Sequence, residues 1–97
     1  MNSQHALRLL SERLPELRQR FGVRDLAIFG SVARDETRPD SDVDVLVEFA
    51  DRPTFDNYMG LKLELEELFG TRVDLVIASD LRPALRPRIE QEALHVP

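Results

Sequence analysis

The chain has 97 residues, of which 42% are hydrophobic, and a formal charge of −5. This length fits a single small domain with a real core and leaves no room for a second, substrate-binding domain. The acidic balance argues against nonspecific nucleic-acid binding, which uses a basic face.

The absence of cysteine excludes a disulfide scaffold, a cysteine nucleophile and a thiolate zinc site. No apolar run approaches the ~18 residues of a membrane span, and no secretory signal opens the chain. We therefore expect a cytoplasmic protein without membrane or direct nucleic-acid contacts.

The chain begins with a predicted amphipathic helix over residues 3–20. Its leucines recur at three- and four-residue steps with arginine and glutamate between them, which is the period of a helix with one apolar face. Ser3 is the predicted N-cap and Gly22 the predicted stop. Pro15 lies inside this segment, so the pattern predicts a kink or a split there.

The rest of the chain alternates short apolar strands with polar loops and helices. Thr54 is a predicted N-cap and Gly70 a predicted C-terminal glycine for the helix between them. The predicted elements, in order, are a strand at 25–29, a helical turn at 30–34, a polar loop at 35–41 with Pro39, a strand at 43–49, a helix at 55–69, a strand at 72–78, an ordered loop or turn at 81–87 and a helix at 88–94. This order predicts a two-layer α/β fold with a small mixed sheet flanked by helices.

Asp42 and Asp44 open the second predicted strand. Residues two apart on a strand project from the same face, with Cα atoms roughly 6–7 Å apart. Two adjacent carboxylates repel each other, but they suit a hard divalent cation, which prefers oxygen ligands. The alternative is a solvated loop end with Asp42 as a turn residue. The position of the pair at the mouth of a buried strand favours metal binding.

Asp74 lies within the third predicted strand, which is otherwise apolar. Burying an unpaired carboxylate costs roughly several kcal/mol, so Asp74 should have a partner. One alternative is a salt bridge to Arg72 or Arg34. If its strand neighbours the second strand, Asp74 instead joins the Asp42 and Asp44 pair. Three carboxylates can hold two Mg²⁺ ions about 3.5–4 Å apart, and Asp74 would then lie where it can take a proton from an acceptor hydroxyl.

Gly30 and Ser31 form a turn that can receive an anion. Glycine permits close approach of the backbone to a ligand, and a following helical turn directs N–H groups at negative charge. Ser31 can donate its hydroxyl to a phosphate, and Arg34, one helical turn later, can reach the same group. The alternative role for Arg34 is a surface charge. An anion site beside a metal site suggests a nucleoside triphosphate, although the chain lacks the GxxxxGK[ST] phosphate loop.

These features together resemble the minimal nucleotidyltransferases of the DNA polymerase beta superfamily. The resemblance rests on Gly30-Ser31, Arg34, the Asp42-Val43-Asp44 motif and the later Asp74, and it extends into the C-terminal residues 92–96. One departure is Asp35, where the family's Ala-Arg-Gly run has glycine. The resemblance implies the nucleotidyltransferase fold, with Asp42, Asp44 and Asp74 as catalytic and metal-binding residues and with Gly30, Ser31 and Arg34 as nucleotide-binding residues.

The implied reaction is the Mg²⁺-dependent transfer of AMP from ATP to a hydroxyl group, with release of pyrophosphate. Many stand-alone members of this family resemble antitoxins whose partner is a helical HEPN-type ribonuclease, and they attach AMP to a tyrosine of that partner. A short chain without an acceptor domain is consistent with an acceptor supplied by a partner protein. Two alternatives remain: an antitoxin that acts by binding alone with an idle site, and an enzyme that nucleotidylates a small hydroxylated molecule.

Overall fold

The protein forms a four-stranded mixed sheet with helices on both faces. The computed structural model describes residues 1–36, 38 and 42–97, so much of the predicted loop at 35–41, including Pro39, lies outside the described residues. The described elements are α1 (Ser3–Phe21), β1 (Val23–Phe29), α2 (Gly30–Ala33), β2 (Val43–Phe49), α3 (Phe55–Phe69), β3 (Val73–Ile77), a 3₁₀ turn (Ala78–Asp80), α4 (Arg86–Glu92) and β4 (Leu94–His95). None of these helices has both the length and the apolar character of a membrane span.

The sheet places β2 in the interior, next to both β1 and β3. The strand order is β3-β2-β1-β4, with β2 parallel to β3 and antiparallel to β1. In this register Asp44 lies opposite Asp74 on one side and opposite Phe29 on the other. The two aspartates that the sequence placed on separate strands are therefore direct neighbours at the end of the sheet where β1 stops and β2 and β3 start.

The main core lies between the sheet and the helices α1 and α3. The alternate residues of β2 that face this side are fully buried, as is expected of a strand inside a sheet. The buried members that dominate it are Leu10, Leu14, Leu17, Leu26, Ile28, Val43, Val45, Val47, Leu61 and Leu65. A smaller core on the opposite face contains Ala27, Leu46 and Leu81 and is completed by residues of the C-terminal segment, including Ile89 and Ala93.

The ends of α1 and α3 follow the capping chemistry of the sequence, with one correction. Gly22 and Gly70 adopt left-handed φ angles of 72° and 69° as C-caps, and the Thr54 side chain accepts a hydrogen bond from Asn57 N. The predicted N-cap Ser3 was wrong: Asn2 is the N-cap and accepts from His5 N. Pro15 does not split the helix, which runs from Ser3 to Phe21.

The C-terminal segment differs from the prediction in its boundaries. The last helix was expected at 88–94, but α4 is Arg86–Glu92, because proline is tolerated in the first turn of a helix and Pro87 therefore lies inside it. Leu94 and His95 form β4, which pairs with Ile28 and Ala27 of β1. The register of this short strand fixes the end of α4 beside the point where β1 gives way to α2.

Candidate active site

Asp44 and Asp74 lie side by side on one face of the sheet. Both are register partners in the parallel pair β2–β3, and each alternates with residues of the main core. They share their face with Leu46 and Val76, which belong to the smaller core under the C-terminal segment. The sequence argument made the meeting of these carboxylates conditional on the two strands being neighbours, and the structure meets that condition for Asp44 and Asp74.

Asp74 is solvent-exposed, so the expectation from the sequence that its carboxylate is buried was wrong. The sequence suggested a buried carboxylate because its neighbours are apolar, but alternation along β3 buries Val73 and Leu75 and turns Asp74 outward. Within the described residues, Asp74 makes no salt bridge to Arg72 or to Arg34. An exposed carboxylate of this kind can meet a solvent-borne substrate without having to give up a protein partner.

Side chains of α3 hold the backbone on both sides of Asp74. The Tyr58 hydroxyl donates to Leu75 O at 2.6 Å, and Glu66 Oε2 accepts from Val73 N at 3.1 Å. Because β3 is an end strand of the sheet, these groups would otherwise lack a strand partner. The two contacts fix the segment that carries Asp74, even though its side chain is exposed.

The carboxylate of Asp44 interacts with several neighbouring charged groups. Its side chain is half-buried, and desolvation together with repulsion from Asp74 and Asp42 raises its pKa to about 6. Arg34 opposes this shift and Glu92 adds to it. A carboxyl group crowded by two others favours a state in which a proton or a cation reduces the negative charge.

Gly30 lies directly against the side chain of Asp44. Its left-handed φ of 69° favours glycine at the junction between β1 and α2. A Cβ atom at position 30 would also meet the Asp44 carboxylate at Oδ2, so that carboxylate would have to move. Glycine at position 30 therefore leaves room for the Asp44 carboxylate.

Arg34 is held between two carboxylates at the end of α2. Its Nε donates to Glu36 Oε2 at 3.1 Å, and its Nη1 donates to Glu92 Oε2 at 3.0 Å. The other oxygen of Glu92, Oε1, accepts from Gly30 N at 2.9 Å. Two of the groups that the sequence proposed for phosphate binding thus share one carboxylate supplied by α4.

Asp35, the departure from the family pattern, is accommodated by α1. It adopts a positive φ of 56°, the conformation that glycine takes without strain. Its carboxylate accepts hydrogen bonds from Ser3 N at 2.7 Å and from Ser3 Oγ at 3.1 Å. These bonds offset the backbone strain, and they explain why Ser3 lies inside α1 and does not cap it.

The donor set suits Mg²⁺ that arrives with a nucleotide. In the described part of the chain, no three histidine, aspartate or glutamate side chains are arranged to hold a bare metal ion. Mg²⁺, however, usually binds through one or two carboxylates, with the remaining positions taken by water and substrate phosphates. Asp44, crowded by Asp42 and Asp74, offers oxygen donors whose mutual repulsion a divalent cation would relieve.

The fold identifies the class of protein. A mixed four-stranded sheet with this helix arrangement is the fold of the minimal nucleotidyltransferases, and a solved structure assigned to that class superposes with a TM-score of 0.80. The two chains are 42% identical, and the match covers 97% of this chain and 95% of the other. The chain belongs to the nucleotidyltransferase domain family, whose profile matches residues 10–96.

A curated relative and more distant structures extend the comparison. The protein adenylyltransferase MntA of Thermococcus cleftensis is 42% identical over 88 residues, covering 91% of this chain and 89% of that protein. A toxin–antitoxin crystal structure with AMP-PNP has a TM-score of 0.72 at 19% identity, covering 89% of this chain and 71% of the other. A structure of the tri-AMPylated Shewanella oneidensis HEPN toxin in complex with an MNT antitoxin has a TM-score of 0.65 at 18% identity, and the match covers 93% of this chain and 71% of the other. The last two likenesses establish a shared fold.

Sequence reasoning proposed the aspartates and the Gly-Ser turn as site residues but did not propose Glu92, which contacts that turn. Glu92 appeared only as part of the C-terminal residues that carry the resemblance. It is 62 positions from Gly30 and 58 from Arg34, and β4 pairing brings it back to them. No local spacing connects these residues, so only the tertiary structure reveals the contact.

Proposed function

We propose that this protein is a Mg²⁺-dependent adenylyltransferase that moves AMP from ATP to a hydroxyl of a protein partner, specifically a tyrosine of a HEPN-type toxin. The observation that carries this proposal is the register of Asp44 with Asp74 beside the Gly30-Ser31 turn. It joins carboxylates suited to a cation with a turn suited to a phosphate on one face of the sheet. The 42% identity to a protein adenylyltransferase over nearly the whole chain supports the same activity.

Each residue has a distinct role in the proposed reaction. Asp42 and Asp44 would hold Mg²⁺, which would reduce the negative charge that develops on the phosphates. The Ser31 hydroxyl and the Nη2 group of Arg34 would donate hydrogen bonds to phosphate oxygens. Gly30 contributes its lack of a side chain, which lets Asp44 approach.

Asp74 supports the acceptor side of the reaction. The acceptor oxygen attacks the α-phosphorus, the bond from that phosphorus to the bridging oxygen breaks, and pyrophosphate leaves with the electron pair. Asp74 takes the proton of the acceptor hydroxyl as the new bond forms. Its exposure and its rigidly held backbone suit an acceptor that approaches from outside the chain.

A partner protein as the source of the acceptor is consistent with the described surface. Asp74 is exposed at one end of the sheet, where the described residues form no second domain to bind an acceptor. An antitoxin with the same fold has been captured with a HEPN toxin that carries three AMP groups. We extend that pairing to this chain as part of the proposal.

Labelled ATP tests the proposal directly. The purified protein is incubated with Mg²⁺ and ATP labelled at the α-phosphate, with and without the HEPN-type protein encoded nearest to it, and label on that protein is mapped to a residue. We expect label on a tyrosine of the partner, lost with Asp42→Asn or Asp44→Asn while both variants remain folded. Asp51→Asn, an exchange of an exposed residue in the loop that follows β2, is the matched control.

Two outcomes would contradict the proposal. Inhibition of the partner without label would indicate an antitoxin that acts by binding alone. Label on a small hydroxylated acceptor, with none on the partner, would indicate a small-molecule nucleotidyltransferase.

A further inference from the structure

One carboxylate of the C-terminal helix links two parts of the nucleotide turn. Glu92 Oε1 accepts from the Gly30 amide at 2.9 Å, and Oε2 accepts from Arg34 Nη1 at 3.0 Å. The side chain of Glu92 is 23% exposed, while that of Arg34 is 43% exposed. Both contacts span more than fifty residues of sequence, so they are a product of the fold and not of local helix geometry.

The hydrogen bond from the Gly30 amide favours the ionised form of Glu92. Its pKa is lowered first by the hydrogen bond from the Gly30 amide and then by the hydrogen bond and charge of Arg34. A lowered pKa keeps the carboxylate ionised at neutral pH. Glu92 is therefore a permanent negative charge placed directly against the turn that is proposed to receive a triphosphate.

The guanidinium of Arg34 is oriented by its two carboxylate partners. Glu36 takes Nε and Glu92 takes Nη1, and within the described residues Nη2 has no hydrogen-bond partner. The five N–H donors of arginine lie in one rigid plane, so fixing Nε and Nη1 also fixes the direction of the remaining donors. The Nη2 edge is thus presented in one orientation, and no residue that the structure describes accepts a hydrogen bond from it.

We propose that Glu92 is a positioning residue of the nucleotide site, which holds the Gly30 amide and Arg34 so that Arg34 offers its Nη2 edge to a triphosphate. This inference rests on the proposed function, because it assigns the triphosphate of that reaction to the edge of Arg34. Glu92 itself touches neither the substrate nor the reacting atoms. It couples α4 to the turn that binds the nucleotide.

Two competing roles for Glu92 make different predictions. If Glu92 occupied the place of a phosphate, ATP would have to displace it, and removing its charge would strengthen nucleotide binding. If Glu92 only tied α4 to the sheet, its loss would lower the melting temperature without changing the ATP affinity of the folded protein. The positioning role predicts weaker ATP binding when the charge is removed.

The test measures the dissociation constant of ATP with saturating Mg²⁺ by calorimetry and AMP transfer on the same preparations. The variants are Glu92→Gln, Arg34→Ala and the double variant. Glu92→Gln keeps the shape and the acceptor for Gly30 but removes the charge that orients Arg34. Glu90→Gln is the matched control, since Glu90 is exposed on the same helix and, among the described residues, forms an ion pair with Arg86 alone, at 3.7 Å.

We expect Glu92→Gln to weaken ATP binding roughly tenfold, by analogy with the effect of losing groups that orient metal ligands. Glu90→Gln should bind as the wild type does. The double variant should bind no more weakly than Arg34→Ala alone, because residues that act through one another are not additive. Should Glu92→Gln not fold, Glu92→Asp keeps the charge but is too short to bridge both donors, and it should also weaken binding.

The outcomes separate this inference from the proposed function. Unchanged or tighter ATP binding by folded Glu92→Gln overturns the positioning role. If the wild type binds Mg–ATP but transfers no AMP, the proposed function fails, and the dissociation constants still decide the role of Glu92. If the wild type does not bind Mg–ATP, both are wrong.

Discussion

The two faces of β2 have opposite chemistry. Val43, Val45 and Val47 face α1 and α3 and are almost completely buried, whereas Asp44 on the other face is half-buried among carboxylates. The valines stabilise the fold by removing apolar surface from water. Asp44 is disfavoured by its surroundings in the charged state, as its raised pKa shows. The strand β2 therefore carries buried core valines on one face and, on the other, an aspartate whose charged form is disfavoured.

This contrast indicates that stability and function are separated by side-chain alternation. Residues that face the helices should affect folding with little specific effect on chemistry. Residues on the other face should affect chemistry, and some should be better tolerated when they are neutralised.

The largest effect is expected for Asp74→Asn in AMP transfer. General-base assistance is worth about 10²–10⁴-fold, so turnover should fall by that range. Because Asp74 is exposed and has no ion pair among the described residues, melting temperature and ATP affinity should change little. Unchanged transfer by the folded variant would remove Asp74 from the site while leaving the Asp42–Asp44 pair intact.

A core substitution on α3 should, in contrast, lower the stability of the fold. Leu65 is fully buried, whereas Leu63 on the same helix is 59% exposed. Leu65→Ala should lower the free energy of unfolding by about 2–5 kcal/mol, and Leu63→Ala should stay within about 0.5 kcal/mol. Urea titrations of both variants measure the difference. Equal losses would contradict the placement of the core.

Neutralising Asp44 should stabilise the protein in a pH-dependent way. Because the pKa of Asp44 is about 6 when folded and 3.8 in its unperturbed state, the folded state binds more protons between these values. The wild type should lose stability as pH rises from about 4 to 6 through this group. Asp44→Asn lacks the penalty, so its advantage should be absent near pH 4 and complete above pH 7.

Unfolding curves at several pH values, with Asp56→Asn as the control, measure this advantage. Asp56 is exposed in the first turn of α3, away from the site. An advantage for Asp44→Asn that is the same at pH 4 and pH 8 would show that electrostatic crowding is not its cause.

The smallest effect is expected at Asp35. Asp35→Gly relieves the left-handed backbone but loses both hydrogen bonds to Ser3, so it should destabilise the protein modestly. Asp35→Ala loses the same bonds and keeps the strain, and it should be about 1–2 kcal/mol less stable than the glycine variant. Thermal melts of both variants would rank them. A glycine variant no more stable than the alanine variant would mean that backbone strain at this position is negligible.

Most of the fold was predictable from sequence because its signals are local. Leucine spacing, capping residues and apolar runs define α1, β2 and α3, and the structure reproduces them within a few residues. The two-residue strand β4 was missed because it pairs through only two positions, Leu94 and His95. No period can be recognised in so short an element, and its existence depends on the edge of β1.

The candidate site was predictable in its residues more than in their environment. The two-residue spacing predicted that Asp42 and Asp44 share a face; in the structure Asp42 precedes β2 and its charge acts on Asp44. The apolar neighbours of Asp74 suggested burial, which strand alternation prevents. Glu92 could not be assigned at all, because its partners are distant in sequence. Local spacing indicates which groups are available, and tertiary register decides which of them meet.

The central claim is that this edge of the sheet binds a metal and a nucleotide together, and linked melting shifts test it most directly. The protein is melted with Mg²⁺ alone, ATP alone and both, for the wild type and for Asp44→Asn. A ligand at one hundred times its dissociation constant stabilises the folded state by about 2.7 kcal/mol. We predict a joint shift larger than the sum of the separate shifts in the wild type, and no such excess in Asp44→Asn. Additive shifts in the wild type would contradict a shared site.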